Sequence, residues 1–472
     1  MTTLLISVSN NNVFRNLFFF PGSVFNQLAD LLERNFELKI VFVLPPVREN
    51  DFGKFIKERI PPESRQRCTL EYVSIDESPG FARKLFRFFY SYFIYTGTTR
   101  MLATMGMRPD EPPGGGNWYL NPFKYLIARS AGRSFWMRER LIPFIYSRLN
   151  QETGLAKLLV RYRPQAVLMP HLFGEYDLRV LSEAKRLHLL TVGMISNWDH
   201  FDKYYLPLRP DILLAQSEQI LEFAIRYQSY RAEQIRLVGY PQIDFVLSAS
   251  EKMPRETLLD KLGFPANSRY ILYISGSAYC PDEPDIIAEL LLWIDRGLLG
   301  PDVYLVIRPY LAGRGADRAF DAAKYERFSH HPRVRFYQSS FWDNLEDGEL
   351  FFSIMRHSGA VIGIYTTALL EAAALGRPLL ITMFDGHARR PFGRSVRRFA
   401  LREHFKQVLE SGAVRMVNNF SELLSALKEY LQNPDLDSEK RESLCKKVLY
   451  RIDGGNSRRI VNELSVILRL SS

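Results

Sequence analysis

Apolar runs of strand length alternate with longer stretches whose apolar residues recur every three or four positions, the pattern of strands buried between amphipathic helices. Thr3–Val8, Leu38–Leu44 and Leu70–Ile75 read as strands, with a helix from about Gly22 to Arg34 between the first two. After an interruption, a helix over Ile145–Tyr162 leads to strand Ala166–Met169, helix Glu175–His188 and strand Thr191–Ile195. Strand Ile212–Ala215, helix Glu218–Tyr227 and strand Ile235–Val238 follow. A second series holds strands at Tyr270–Ile274, Val303–Ile307, Val334–Tyr337, Ala360–Ile364, Leu379–Ile381 and Val414–Val417, with helices at Glu283–Asp295, Leu345–Arg356 and Ala368–Leu375. Helices Ser421–Gln432, Ser438–Tyr450 and Asn456–Leu468 close the chain. Such alternation predicts the α/β class with parallel, doubly wound sheets. A chain of 472 residues exceeds one ordinary core, so two or three domains are expected, and the alternation falls into two Rossmann-like series. The first covers 1–248 with an insertion at about 78–142, and the second covers 256–455 beyond a polar linker, Ser248–Arg255.

Composition changes this picture in one region. Hydrophobic residues at 46% and charged residues at 24% suit an ordinary globular protein. Cys68, Cys280 and Cys445 form no CxxC or Cys/His cluster, which argues for a reducing, cytoplasmic setting and against structural zinc. Thr2–Val8 lacks a basic leader and no apolar window is long enough for a transmembrane helix. The net charge of +10 is concentrated: Phe81–Asn150 holds eleven Lys or Arg against three acids, Asp110, Glu111 and Glu139. Within it, Phe81–Tyr95 has eight aromatics among fifteen residues. Two readings stay open, aromatics packed into the domain with solvated charges, or a surface lying on the anionic inner face of the plasma membrane. Single-stranded nucleic acid would suit the composition too, but no nucleic-acid-binding signature accompanies it, and none is expected as a partner.

Chemistry concentrates between Ser358 and Phe384. A strand, the turn Tyr365-Thr366-Thr367, a helix ended by Gly376 and a second strand make one crossover unit. The turn offers two hydroxyls and the free N–H groups of a helix start to a phosphate. Glu371 lies one turn further on the same face, so Thr366, Thr367 and Glu371 are candidates to hold a nucleotide diphosphate. The plainer alternative makes Thr367 an N-cap and Glu371 an exposed helix residue. Ser275-Gly276-Ser277, another small turn after a strand, is a second candidate phosphate cradle. Arg308, at a strand's carboxyl end, suits the same diphosphate. The Asn10–Asn16 segment, with Asn12 and Arg15, follows the first strand where such sheets bind ligands. No HExxH, DxD loop, GxSxG, Walker loop or GxGxxG occurs, and His330-His331 reads as solvent-exposed, so no metal site is expected.

The run E-A-A-A-L-G-R-P-L from Glu371 resembles the E-A-x-x-x-G-x-P segment of GT-B glycosyltransferases and their relatives, the non-hydrolysing UDP-N-acetylglucosamine 2-epimerases and the CDP-glycerol glycerophosphotransferases. S-N-W-D from Ser196, P-D-I-L-L-A from Pro210, R-L-V-G-Y-P-Q-I-D from Arg236 and D-G-G-N-S-R-R-I from Asp453 are similar to the bacterial CDP-glycerol transferase-like group, in the same order. The pattern departs at Asn197, which is extra, at His200, where the group has Asn, and at Tyr310, where it has His. The resemblance implies two domains facing a cleft, with 456–472 packing back on the first. It implies a UDP-, CDP- or GDP-linked donor held in the second domain by Ser275, Gly276, Ser277, Arg308, Thr366, Thr367, Glu371 and His387, with no tightly bound cofactor or metal. Asn12, Arg15 and Glu175 would face a glycan or lipid-linked acceptor, and His171 or Asp199 would be the general base. The implied activity is transfer of a sugar or polyol phosphate such as glycerol phosphate in cell-envelope polysaccharide biosynthesis. The alternatives are a nucleotide-sugar 2-epimerase and a non-catalytic nucleotide-sugar-binding protein. Arg394, Arg397 and Arg398 are expected at the surface.

Overall fold

A computed structural model of the protein describes residues 2–46, 53–76, 80–104, 118–310, 316–337 and 345–470. The chain divides into two compact units. Unit 1 comprises Met1–Thr96, Pro122–Phe245 and Leu449–Ser472, and unit 2 comprises Gly97–Asn121 and Val246–Val448.

Unit 1 is built on β1 (Thr2–Ser7), β2 (Leu38–Leu44), β3 (Cys68–Tyr72), β4 (Ala166–Met169), β5 (Leu190–Gly193), β6 (Ile212–Ala215) and β7 (Ile235–Leu237). They form one sheet in the order β3-β2-β1-β4-β5-β6-β7, and every pairing is parallel. Parallel sheets are covered by helices on both faces, which is why their strands read as unbroken apolar runs. Leu4, Leu5 and Ile6 illustrate it, since consecutive side chains point to opposite faces and all three are fully buried. One covering helix, Val24–Arg34, turns Val24, Phe25, Leu28 and Leu32 toward the sheet. The last helix, Asn456–Ile467, places Ile460, Val461 and Leu464 in the same core.

Unit 2 repeats the plan with β8 (Arg269–Ile274), β9 (Val303–Arg308), β10 (Val334–Phe336), β11 (Ala360–Gly363), β12 (Leu379–Thr382) and β13 (Val414–Val417). Its order is β10-β9-β8-β11-β12-β13, again all parallel. In both sheets the strand order reverses at one place, between β1 and β4 in unit 1 and between β8 and β11 in unit 2. The crevices beyond the carboxyl ends of those strands are where open α/β sheets bind ligands.

Several expected boundaries move. The helix expected over Ile145–Tyr162 is two helices, Ile142–Leu149 and Thr153–Tyr162. Asn150 ends the first as its C-cap, leaving the helical region with φ of −123° and ψ of 46°, and its backbone N–H and side-chain amide both donate to the Tyr146 carbonyl, at 3.1 and 2.9 Å. The expected Ser248–Arg255 linker is shorter than read: Ser248–Ser250 ends the Pro241–Ser250 helix, Arg255 opens the Arg255–Leu262 helix, and residues 251–254 join them. The Asn10–Asn16 segment is helical rather than an open loop. The insertion is shared. Its Gly97–Leu102 helix belongs to unit 2, where Thr98 Oγ1 accepts a hydrogen bond from the Glu403 N–H at 2.8 Å.

Candidate functional site

In unit 2 the carboxyl edge of the sheet sets the site. Arg308, Ile274, Gly363 and Ile381 stand in register across β9, β8, β11 and β12. Each strand releases its chain just beyond this row, β8 into Ser275 and β11 into the Tyr365-Thr366-Thr367 turn. The short helix Ala368–Ala374 follows, and Gly376 ends it with φ of +70°, a conformation that costs glycine nothing.

Arg308 and Glu371 come together here. Burial lowers the pKa of the Arg308 guanidinium, and the facing Glu371 carboxylate acts to raise it. The guanidinium also lies over the Phe351 ring, 4.6 Å from its centroid. Thr366 is half-buried, and its Oγ1 accepts from the Ala368 N–H at 3.4 Å. Thr367 is the exposed N-cap residue, capping through its backbone carbonyl rather than its hydroxyl.

A second cation at this edge was not legible from sequence. Arg402 donates to the Tyr365 carbonyl at 3.1 Å and bears electrostatically on Tyr310 and Cys280. It thus touches the turn after β11, and its charge acts on groups that follow β8 and β9. No local motif marks it, since it arrives from a segment far along the chain. Arg398, expected at the surface, is instead 1% exposed and donates to the Gly393 carbonyl at 2.6 Å.

The Ser275-Gly276-Ser277 turn is arranged differently from a phosphate cradle. The Gly276 N–H donates to Glu283 at 2.9 Å, and the buried Ser275 hydroxyl bonds Glu283 at 3.2 Å. Tyr273, Tyr325 and Lys324 direct their polar atoms at the same carboxylate. The chain's own Glu283 therefore occupies the position assigned to phosphate at this turn. Its charge is balanced by Lys324, an ion pair almost wholly removed from solvent. His387 also stands apart. Its backbone N–H donates to Asp285 at 3.2 Å, and its ring packs on Phe420. It lines a basin with Arg389, Arg390 and Arg397 to which none of the other donor candidates contributes.

In unit 1, His171 follows β4, at the strand-order reversal. Its Nδ1 lies 2.8 Å from Ser196 Oγ. Burial depresses the pKa of His171 below the ordinary histidine value, and the neighbouring Asp177 charge partly counters this. Asp177 is fully buried and accepts a hydrogen bond from the Ser7 hydroxyl at the end of β1. Burial raises its own pKa, so both groups are pushed toward their neutral forms. His200 lies beside them, its ring centroid 5.5 Å from that of His171. A neutral imidazole flanked by a hydroxyl and a carboxyl group has the chemistry of a general base.

Asp177 had no sequence signal beyond lying near His171, whereas Ser196 opens the S-N-W-D run. The other base candidate, Asp199, pairs with Lys203 at 3.5 Å. Glu175 is bound to Arg179, whose second partner is Glu152. Arg15 is half-buried in the helical segment after β1, and Asn12 lies on the same segment. A cavity of about 410 Å³ opens beside these strand ends, lined by Ser9, Asn10, Glu175, Arg179 and, from the insertion, Arg83, Phe86, Arg87 and Tyr90. The buried Tyr146 hydroxyl also lines it and has no partner among the described residues.

Two of the motifs noted in sequence meet each other. Asp244 accepts from the N–H groups of Asn456, at 3.1 Å, and Ser457, at 2.7 Å, at the start of the last helix. Asn456 Nδ2 donates to the Tyr240 carbonyl and Arg459 Nε to the Val238 carbonyl. Gly239, with φ of +87°, leaves no room for a side chain, because a Cβ there would lie 1.9 Å from Asn456 Oδ1. The G-Y-P-Q-I-D and D-G-G-N-S-R-R-I segments thus form one helix-capping joint.

Among the described residues no group of three or more His, Cys, Asp or Glu is placed to hold a metal ion. Among the same residues no helix is long and apolar enough to cross a membrane.

These two parallel sheets and their connections define the fold of the GT-B class. The chain is similar to a UDP-N-acetylglucosamine 2-epimerase from Neisseria meningitidis solved with UDP-GlcNAc, with a TM-score of 0.55 and 10% identity over 98% of this chain and 99% of that one. A glycosyltransferase from Rickettsia africae gives a TM-score of 0.52 and 11% identity over 100% and 99% of the two chains. A UDP-GlcNAc 2-epimerase from Methanocaldococcus jannaschii gives 0.53 and 11% over 98% and 100%. No family model matches the chain, and no curated protein matches it.

Proposed function

We propose that the chain is a transferase that moves a sugar, or a polyol phosphate such as glycerol phosphate, from a nucleotide-activated donor to a hydroxyl of a surface-glycan or lipid-linked acceptor. The observation that carries this reading is the convergence of Arg308, Arg402 and Glu371 at the strand-order reversal of unit 2. Two guanidinium groups suit a diphosphate, whose departing charge they stabilise without a metal. The Glu371 carboxylate suits ribose hydroxyls as a hydrogen-bond acceptor. Thr366 and Thr367 add hydroxyls at the same turn. In unit 1, His171 takes the proton from the acceptor hydroxyl in its neutral form, oriented by Ser196 and accompanied by Asp177.

A nucleotide-sugar 2-epimerase is the second reading, favoured by one observation. His171, Asp177 and His200 supply more acid/base groups than a single proton abstraction uses. Product analysis separates the two. The protein is incubated with UDP-, CDP- and GDP-linked sugars and CDP-glycerol, with and without a membrane extract as acceptor source. Transfer predicts release of the nucleotide only with extract, as the diphosphate from a sugar donor or CMP from CDP-glycerol. It also predicts a loss of about hundredfold or more in His171→Gln. A changed sugar on intact nucleotide without extract would assign the epimerase instead.

A further inference from the structure

The insertion helix Phe81–Ser91 carries an apolar stripe that faces outward. Phe81, Leu85 and Phe88 recur at helical spacing on one side and are exposed, Phe81 by 82%. The opposite side, with Arg83, Phe86 and Tyr90, lines the cavity of unit 1. The outward stripe continues onto the Asn121–Arg129 helix. The Phe88 ring contacts Tyr92 at 4.7 Å between centroids, and Tyr92 meets Phe123 at 6.4 Å. Leu126, one turn past Phe123, is 63% exposed. Of the 22 exposed large hydrophobic residues described, ten lie between Phe81 and Phe144, so the exposure is concentrated rather than scattered.

Charge decides what covers it. Lys84, Arg87, Arg129, Arg133, Arg140 and Arg148 are exposed in the same segment. Lys124 lies over the Tyr92 ring that joins the two helices. The one described acid between Phe81 and Asn150, Glu139, is neutralised by Arg209. A second copy of the chain would bring like charges together across the contact, whereas a surface of lipid phosphates takes both the apolar stripe and its cationic border. We propose that the outward stripe of the Phe81–Ser91 and Asn121–Arg129 helices inserts into the interface of an anionic lipid bilayer. Docking there leaves the cavity-lining side of the first helix uncovered.

Co-sedimentation of the full chain with vesicles tests this without any nucleotide, so its failure would leave the donor assignment untouched. Vesicles of phosphatidylcholine with phosphatidylglycerol are expected to bind the protein about tenfold or more tightly than phosphatidylcholine alone, with binding weakened by salt. Phe81→Gln with Phe88→Gln, and separately Lys84→Gln with Arg129→Gln, should each weaken it by about tenfold. Val466→Gln, at an exposed apolar residue elsewhere, should leave it unchanged. Circular dichroism confirms that each variant folds. Equal binding to neutral and anionic vesicles, or stripe variants that bind like the parent, would overturn the proposal. So would light scattering that shows a dimer dissolved by the stripe variant, or a single-stranded oligonucleotide bound through the same residues.

Discussion

At the scale of single residues, each candidate centre depends on a charged or titratable group partly withdrawn from water. Arg308 is kept from full solvation and faced by Glu371, so on the proposed reading a diphosphate would meet a cation already positioned and only partly neutralised. His171 is held in the opposite sense, because burial favours its neutral form and Asp177 opposes that preference. A group whose folded pKa is lowered takes up its proton only below the ordinary histidine value of 6.5, so the base form persists into mildly acidic solution. In an NMR titration the His171 ring should show a midpoint below 6.5, and Asp177→Asn should lower it further by removing the charge that raises it. A midpoint at or above 6.5 in the parent would contradict the burial argument. His171 and Arg308 were candidates in sequence because each stands at or just past a strand's carboxyl end, and Glu371 because it lies one helical turn past Thr367. No local pattern announces Asp177, Arg402 or Glu283: their roles depend on where the fold aims each side chain.

At the scale of elements, the apolar runs made the strands legible, since a strand buried on both faces admits few polar residues. Helix ends were harder to read. The break at Asn150 is a change of backbone conformation at one residue, and the small turn after β8 is filled by Glu283 of the helix that follows it. The insertion was half legible: its composition showed aromatics and cations, but only the helical register separates the residues facing the cavity from those facing out. The motifs around Asp244 and Asn456 resembled a transferase family, yet their geometry is that of a cap. Asp244→Ala should therefore lower stability to urea by about 2 kcal/mol, the loss of a buried cap serving two N–H groups. Gly239→Ala should be at least as damaging, because a left-handed residue alone costs about 1 kcal/mol and its Cβ would collide with Asn456. Both changes lie in unit 1 and should leave nucleotide affinity intact. A folded Asp244→Ala of parental stability that failed to bind nucleotide would return this motif to the chemistry.

At the scale of the whole molecule, the chain repeats one solution, a parallel sheet whose strand order reverses once, and gives each copy a different chemical edge. Unit 2 gathers guanidinium groups, hydroxyls and a carboxylate, whereas unit 1 gathers a neutral imidazole and an aromatic, partly cationic cavity. The class of fold followed from the alternation of strand and helix alone. The different chemistry of the two edges did not, because it rests on side chains brought together from separate segments of the chain. The excess of positive charge is concentrated in the insertion rather than spread over the chain. The central claim is that unit 2 holds a nucleotide against Glu371. Isothermal titration of the parent and Glu371→Ala with UDP, CDP and GDP tests it most directly. One nucleotide should bind the parent, and the variant should bind it about ten- to a hundredfold more weakly, the worth of hydrogen bonds to a charged group. Equal affinity in the two proteins, or no binding of any nucleotide to the parent, would contradict it.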